Sequence, residues 1–316
     1  MKLHQHPDFE AFIVEVSEQT GRSEALLEKD YFITDILRTL ASEYELGQII
    51  FKGGTSLSKG WKLIDRLSED IDLIVVKAEF DPPLGAKRLP KELERMMEVI
   101  ENGGTVTHVE NVEPPNGYAR ADRFSYPTLY NDPALPSSVR VEPGSRGGII
   151  PAVKMSLNSD LAQGLNEIDT EIDVDDLEPF DMMLLHYRRT FVEKLFAVHG
   201  LATKLDSDGT EFGNDARHYV DLYALSQEDE VRRMLTTDEY LEICEDHHVM
   251  ASRFYKNRHV PRPGGGFGKS LALGPTDELL ASIEADYEEQ KRNLCYVAYP
   301  SFDEVLGALN ALGDQL

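Results

Sequence analysis

Apolar positions along the chain follow first a helical and then a strand period. Phe9, Phe12, Ile13 and Val16 share one helical face, and Gly21 follows as a stop. Ser23 then stands as the N-cap of a second helix whose apolar stripe is Ile33, Ile36, Leu37 and Leu40. After Gly47 the pattern turns β-like. Gln48-Ile49-Ile50-Phe51 runs straight into Lys52-Gly53-Gly54-Thr55-Ser56, a short helical piece follows over 57–64, and 71–76 reads as a buried strand. Residues 88–102 read as a charged amphipathic helix. Val139-Arg140-Val141-Glu142 alternates and closes at Pro143-Gly144, ahead of the turn-like Arg146-Gly147-Gly148. From Met182 onward the pattern predicts mainly helix, over 187–199, 216–225, 237–253 and 277–294, with a loop over 258–274. A boundary near residue 180 divides a mixed domain, 1–180, from a mainly helical one, 181–316.

Composition narrows the class. Of 316 residues 41% are apolar and 28% charged, which describes a folded chain with ample core. Acidic residues outnumber basic ones 57 to 32, for a net charge of −25. That excludes nucleic-acid binding through the surface at large, so any RNA partner needs a local basic patch and help from metal ions. Cys244 and Cys295 are too few for a disulfide framework or a cysteine zinc site and suit a reducing cytoplasm. The N-terminus lacks an apolar signal core, and no apolar run approaches the roughly 18 residues of a membrane span. A cytoplasmic protein without membrane contact is expected. Between Met155 and Tyr187 there is no Lys or Arg, while eight acids from Glu167 to Asp181 crowd together. Ile168, Ile172 and Val174 alternate with several of them, as on a half-exposed edge strand whose charge discourages aggregation, the alternative being a surface for a metal or a basic partner.

Candidate chemistry concentrates in 51–76, FKGGTSLSKGWKLIDRLSEDIDLIVV. A strand entering Gly53-Gly54-Thr55-Ser56 and then a helical turn presents backbone N–H groups and hydroxyls to a phosphate. Sixteen residues after Gly54 come Asp70-Ile71-Asp72. On a strand the two carboxylates point the same way while Ile71 enters the core. Convergent carboxylates repel unless a cation lies between them, and hard oxygen ligands suit Mg²⁺ or Mn²⁺. A phosphate turn with a paired-carboxylate strand describes metal-assisted transfer from a nucleoside triphosphate.

This block resembles the minimal, polymerase-β-like nucleotidyltransferases, and in this form the AbiEii/MenT toxins of type IV toxin–antitoxin and abortive-infection systems. Further blocks resemble the family in order and spacing: Glu28-Lys29-Asp30-Tyr31, Val139 to Gly148 (VRVEPGSRGG), Arg189 to His199 (RTFVEKLFAVH) and Arg217 to Leu222 (RHYVDL). Ala285-Asp286-Tyr287 and Pro300-Ser301-Phe302 have family counterparts as well. The resemblance implies an α+β fold, with a polymerase-β-like domain built on a mixed sheet and a helical C-terminal domain completing an active-site cleft. It implies Glu142 as a third catalytic carboxylate beside Asp70 and Asp72, all three metal ligands. It also implies Lys194 at the triphosphate and Asp221 at the active-site rim, with Arg217 and His218 contacting nucleotide or acceptor. Ser68, just before the Asp70-Ile71-Asp72 strand, is placed either to contact the nucleotide or to cap a turn. Read by themselves, Lys194 is a lysine snorkelling from an apolar helix, and Arg217–Asp221 an i,i+4 surface pair.

The activity implied is metal-dependent transfer of nucleotides from NTP to an RNA acceptor, the tRNA 3′ end, with release of pyrophosphate, by a toxin with a cognate antitoxin. Arg253-Phe254-Tyr255-Lys256-Asn257-Arg258 mixes cations and rings as an RNA surface does, and Arg146 is a further candidate. The alternatives are transfer to a small molecule or a protein, or an inactive fold used for binding. An acidic surface suits cationic aminoglycosides better than tRNA. Two other motifs fail. Pro263 to Ser270 (PGGGFGKS) lacks the first glycine and the preceding strand of a Walker A loop. His247 and His248 are adjacent in a predicted helix, where side chains diverge by roughly 100° and do not share a metal.

Overall fold

The computed structural model describes residues 1–66, 68, 70–132, 135–168, 172–256, 259–295 and 297–316. Among these residues seven strands form one mixed sheet: β1 (Ile49–Lys52), β2 (Asp70–Val75), β3 (Thr107–Asn116), β4 (Ala119–Ser125), β5 (Ser138–Gly144), β6 (Ala152–Leu157) and β7 (Phe180–Leu185). The helices of the first half are α1 (Phe9–Thr20), α2 (Glu24–Glu43), the single turn α3 (Gly53–Thr55), α4 (Leu89–Asn102) and α5 (Asp160–Glu167). Those of the second half are α6 (Tyr187–Asp208), α7 (Arg217–Ser226), α8 (Asp229–Met234), α9 (Asp238–Phe254), α10 (Asp277–Leu294) and α11 (Phe302–Asn310). The fold is α+β. Among the described residues no helix is long and apolar enough to cross a membrane.

The chain forms two compact units, Met1–Gly53 with Glu69–Ser145 and Val153–Leu184, and Gly54–Ser68 with Arg146–Ala152 and Leu185–Leu316. The first contains the sheet, in the order β3-β4-β5-β2-β1-β7-β6. β1 and β2 are antiparallel, whereas β2 pairs parallel with β5 and β1 parallel with β7. Gly21, with φ 70°, closes α1, and the Ser23 hydroxyl accepts from the Leu26 N–H at the start of α2. The stripe Ile33, Ile36, Leu37 and Leu40 is buried as its spacing predicts.

The polar motif on α2 is tied down as firmly as that stripe. Glu28 accepts from the Thr128 hydroxyl and the Leu129 N–H, each at 2.6 Å, and Lys29 donates to the Pro136 carbonyl at 2.9 Å. Asp30 accepts from the Asp160 N–H at the start of α5, and the Tyr31 hydroxyl donates to Asp176 at 2.6 Å. Four consecutive polar residues thus organise the loops around the helix, each through a hydrogen bond of its own.

Two expectations for the first unit need correction. The acidic tract is not an edge strand: Asp169 and Glu171 lie outside the described residues, and 172–179 form no strand. Two of its acids are held by donors from elsewhere in the unit. Asp175 meets the Met1 amino group at 2.7 Å, and buried Asp176 accepts from the Leu3 N–H as well as from Tyr31. Nor does helix begin at Met182, where the apolar run forms β7. A short apolar run satisfies both periodicities, and pairing with β1 decides for strand.

The second unit is helical. Phe191, Leu195 and Val198 of α6 share its core with Tyr219 and Leu222 of α7, Ile283 and Tyr287 of α10, and Phe302 and Val305 of α11. Leu57 and Ile64 belong to that core. The expected helix over 57–64 is instead a π-helical turn, Ser56–Gly60, following α3. The glycine-rich loop rejected as a nucleotide site has a structural task. The Phe267 N–H, Tyr240 hydroxyl and Arg262 guanidinium converge on the Leu316 carbonyl oxygen at 2.7–2.8 Å. A Cβ at Gly266 would lie 2.7 Å from that oxygen.

Candidate active site

In the first unit, strand register places the acidic residues. Asp72 pairs with Glu142 and Asp70 with Arg140 across the parallel β2–β5 ladder. Register partners in adjacent strands project to the same face, so Asp70, Asp72, Arg140 and Glu142 share one side while Ile71 and Val141 are buried on the other. Gly53 ends β1 with φ +78°, and a Cβ there would stand 2.1 Å from Asp72 Oδ2. Only glycine supplies both that conformation and that clearance.

Glu142 Oε1 lies 2.6 Å from Arg140 Nε. Its carboxyl is nevertheless pushed up to about 7, chiefly by burial and then by the negative charge of Asp72, with Arg140 opposing and Asp70 and Glu113 adding to the rise. Among the described residues no three His, Cys, Asp or Glu side chains already form a metal cage. The donor set still fits a hard divalent cation: three carboxylates project from neighbouring strands, and their mutual repulsion is what a cation relieves.

The remaining candidates lie in the second unit. Thr55 and Ser56 are buried, and the Thr55 hydroxyl donates to Ser68 Oγ at 2.9 Å. A Cβ on Gly54 would be 2.7 Å from both Ser68 Oγ and an Arg66 guanidinium nitrogen. Arg66 is buried and grips fully buried Asp221 with two bonds, Nε to Oδ1 at 2.6 Å and Nη2 to Oδ2 at 2.8 Å. Lys194 Nζ, also buried, is 2.5 Å from Asp221 Oδ2 and 3.2 Å from His218 Nδ1. Burial would raise Asp221, but the charges of Arg66 and then Lys194 hold it well below the usual carboxylate range. Burial lowers Lys194 against the pull of Asp221, and burial with the Lys194 charge drives His218 far below an ordinary histidine.

Lys194 therefore does not snorkel to water, and the carboxylate of Asp221 is engaged by Arg66 and Lys194 rather than by a surface pairing with Arg217. Arg217 and His218 are half-buried on the first turn of α7. Arg66 was missed in the sequence. Its only signal was a cation lying between the Gly-Gly turn and the Asp70-Ile71-Asp72 strand.

The basic patch is also in the second unit. The Arg146 guanidinium lies 4.7 Å from the centre of the Phe254 ring and that of Arg253 5.0 Å from it. The Tyr255 hydroxyl donates to the Arg146 carbonyl at 3.3 Å. Arg253, Tyr255 and Lys256 are exposed, and Arg258 lies outside the described residues. The Arg-Gly turn after β5 is structural in part: Gly148 packs where any Cβ would overlap the guanidinium of buried Arg189, which donates to the Ile150 carbonyl at 2.8 Å.

Residues 35–308 match the family model described as nucleotidyl transferase AbiEii toxin, type IV TA system. Among solved structures the chain resembles MenT4, a nucleotidyltransferase toxin from Mycobacterium tuberculosis H37Rv. The TM-score is 0.52 at 16% identity, over 95% of this chain and 98% of that one. At that identity the likeness speaks for the fold alone. No curated protein matches.

Proposed function

The chain belongs to the AbiEii nucleotidyltransferase toxins of type IV toxin–antitoxin systems, and from that premise we propose that it transfers nucleotides from NTP to the 3′ end of tRNA. The observation that carries the reading is Glu142 in register with Asp72, its carboxyl raised by burial and then by the Asp72 charge beside it. In this reading Asp70, Asp72 and Glu142 hold Mg²⁺ or Mn²⁺, which supplies charge neutralisation at the reacting phosphate. The acceptor hydroxyl oxygen bonds to the α-phosphorus, the bond from that phosphorus to the bridging oxygen breaks, pyrophosphate leaves, and the hydroxyl proton passes to solvent. The Lys194 ammonium offsets charge on the departing pyrophosphate. Gly53, Gly54, Thr55, Ser56 and Ser68 form the turn that receives the triphosphate, Thr55 and Ser68 bracing each other through their hydroxyls. Arg217 and His218 flank the nucleotide. Arg146, Arg253, Lys256 and Arg258 meet the acceptor. The family implies a protein antitoxin as partner and a cytoplasmic setting.

A net charge of −25 also favours a cationic acceptor such as an aminoglycoside. Incubation with each α-labelled NTP, Mg²⁺ and either purified tRNA, protein extract or aminoglycosides separates the readings. Label in tRNA is expected. Label only in the small molecule or in protein overturns the tRNA acceptor, and no transfer to any acceptor overturns the reaction.

A further inference from the structure

The geometry points to Arg66 as the positioning residue of the triphosphate lysine: by engaging Asp221 on both oxygens, it leaves the Lys194 charge available to an anion. The inference rests on the reading that Lys194 serves the triphosphate.

Three features carry it. First, the trio is buried, with Asp221 at 0% and Arg66 at 3% exposure, so these charges are weakly screened by water. One carboxylate faces two cations, and the trio keeps one positive charge in excess. Were Arg66 absent, Asp221 and Lys194 would form a closed pair, and a neutral buried pair attracts a triphosphate poorly. Second, the guanidinium fork fixes the carboxylate in plane, so Oδ2 presents its remaining lone pair to Lys194 Nζ in one direction. Lysine at position 66 would supply the charge without that fork. Third, the same guanidinium lies under Gly54, where a Cβ would approach it to 2.7 Å. Arg66 thus ties the phosphate turn directly to the carboxylate that aims Lys194. A purely structural buried pair would need neither a third partner at 2.5 Å nor a glycine on its outer edge.

The test uses charge balance. Affinity for labelled NTP with Mg²⁺ is measured without acceptor, by equilibrium dialysis, for the wild type, Arg66→Gln, Asp221→Asn and the Arg66→Gln/Asp221→Asn double variant. Arg66→Gln is expected to weaken NTP binding by about tenfold or more. The double variant is expected to recover most of that loss, because Lys194 again carries the excess charge. It removes one charge of each sign, so it is also the variant to use if Arg66→Gln alone does not fold. Transfer by the double variant should remain low, since nothing fixes the direction of the lysine. A double variant that folds, judged by circular dichroism, yet binds NTP no better than Lys194→Ala overturns the inference. A wild type that binds no NTP overturns the underlying reading instead.

Discussion

Glu142 and Asp72 are register partners on adjacent parallel strands, and the Asp72 charge adds to burial in making the Glu142 carboxyl harder to ionise. Asp72→Asn and Asp70→Asn are therefore expected to abolish nucleotide transfer without unfolding the protein, since metal-organised stabilisation of the transition state is worth several kcal/mol. Like-charge repulsion is relieved at the same time, so thermal stability without metal should hold or rise. Full transfer activity in either purified variant would remove these residues from the reaction.

The same pair sets a pH dependence. The Glu142 carboxyl rises from an ordinary value near 4.5 to about 7 on folding, so between those values the folded protein binds more protons than the unfolded chain. Stability from this group is then complete below pH 4.5 and is lost as pH rises through 7. Glu142→Gln should match the wild type at pH 4.5 and exceed it in metal-free stability at pH 8. The gain is about 1–2 kcal/mol once solvent screening of a partly exposed side chain is allowed for. Denaturant unfolding in a chelator at the two pH values measures it. A variant less stable than the wild type at pH 8 would show that the Arg140 pairing outweighs the repulsion.

What the sequence made legible follows the reach of its patterns. The strand period around Asp70-Ile71-Asp72 and the alternation at Val139 to Glu142 each fixed a side-chain direction, which is local information. That the two strands are neighbours came from family resemblance. Arg66 illustrates the limit, because nothing within several residues of it announces a partner 155 positions away. Lys194 looked like a snorkelling cation because helical periodicity reports which face is apolar and not whether a buried acid waits there. The acidic tract misled for a related reason. Alternating acids satisfy a strand pattern, but the Met1 amino group and the Leu3 N–H that claim Asp175 and Asp176 lie at the other end of the unit's sequence.

Lys194→Ala and Asp221→Ala should separate function from stability. Removing Lys194 leaves Asp221 paired with Arg66, so the fold should persist while KM for NTP rises by about tenfold or more. Removing Asp221 leaves two buried cations without their shared carboxylate, at a cost of about 3–5 kcal/mol. Thermal melts beside steady-state kinetics check both. A Lys194→Ala protein as destabilised as Asp221→Ala, with unchanged KM, would make the lysine a purely structural ion.

The basic patch is the most demanding case, because a chain with a net charge of −25 repels polyanions and must hold an RNA by few cations. Arg146 and Arg253 both lie against Phe254, which orders two guanidinium groups around one ring and places exposed Tyr255 beside them. Cations held this way lose little side-chain entropy on meeting phosphate, and the neighbouring ring of Tyr255 offers a face for a base. Replacing Arg253, Lys256 and Arg258 together by Gln should weaken tRNA binding, and each lost phosphate contact should reduce the log–log salt slope by about one unit. Phe254→Ala should weaken binding as well while leaving the number of cations, and so most of the salt slope, in place. NTP affinity should change little in either variant, since none of these residues belongs to the phosphate turn, the carboxylate strands or the Lys194 trio. Filter binding of labelled tRNA across a salt series reads both effects. An unchanged affinity and slope in the triple variant would assign the stretch to ordinary surface and move a small-molecule or protein acceptor ahead of tRNA.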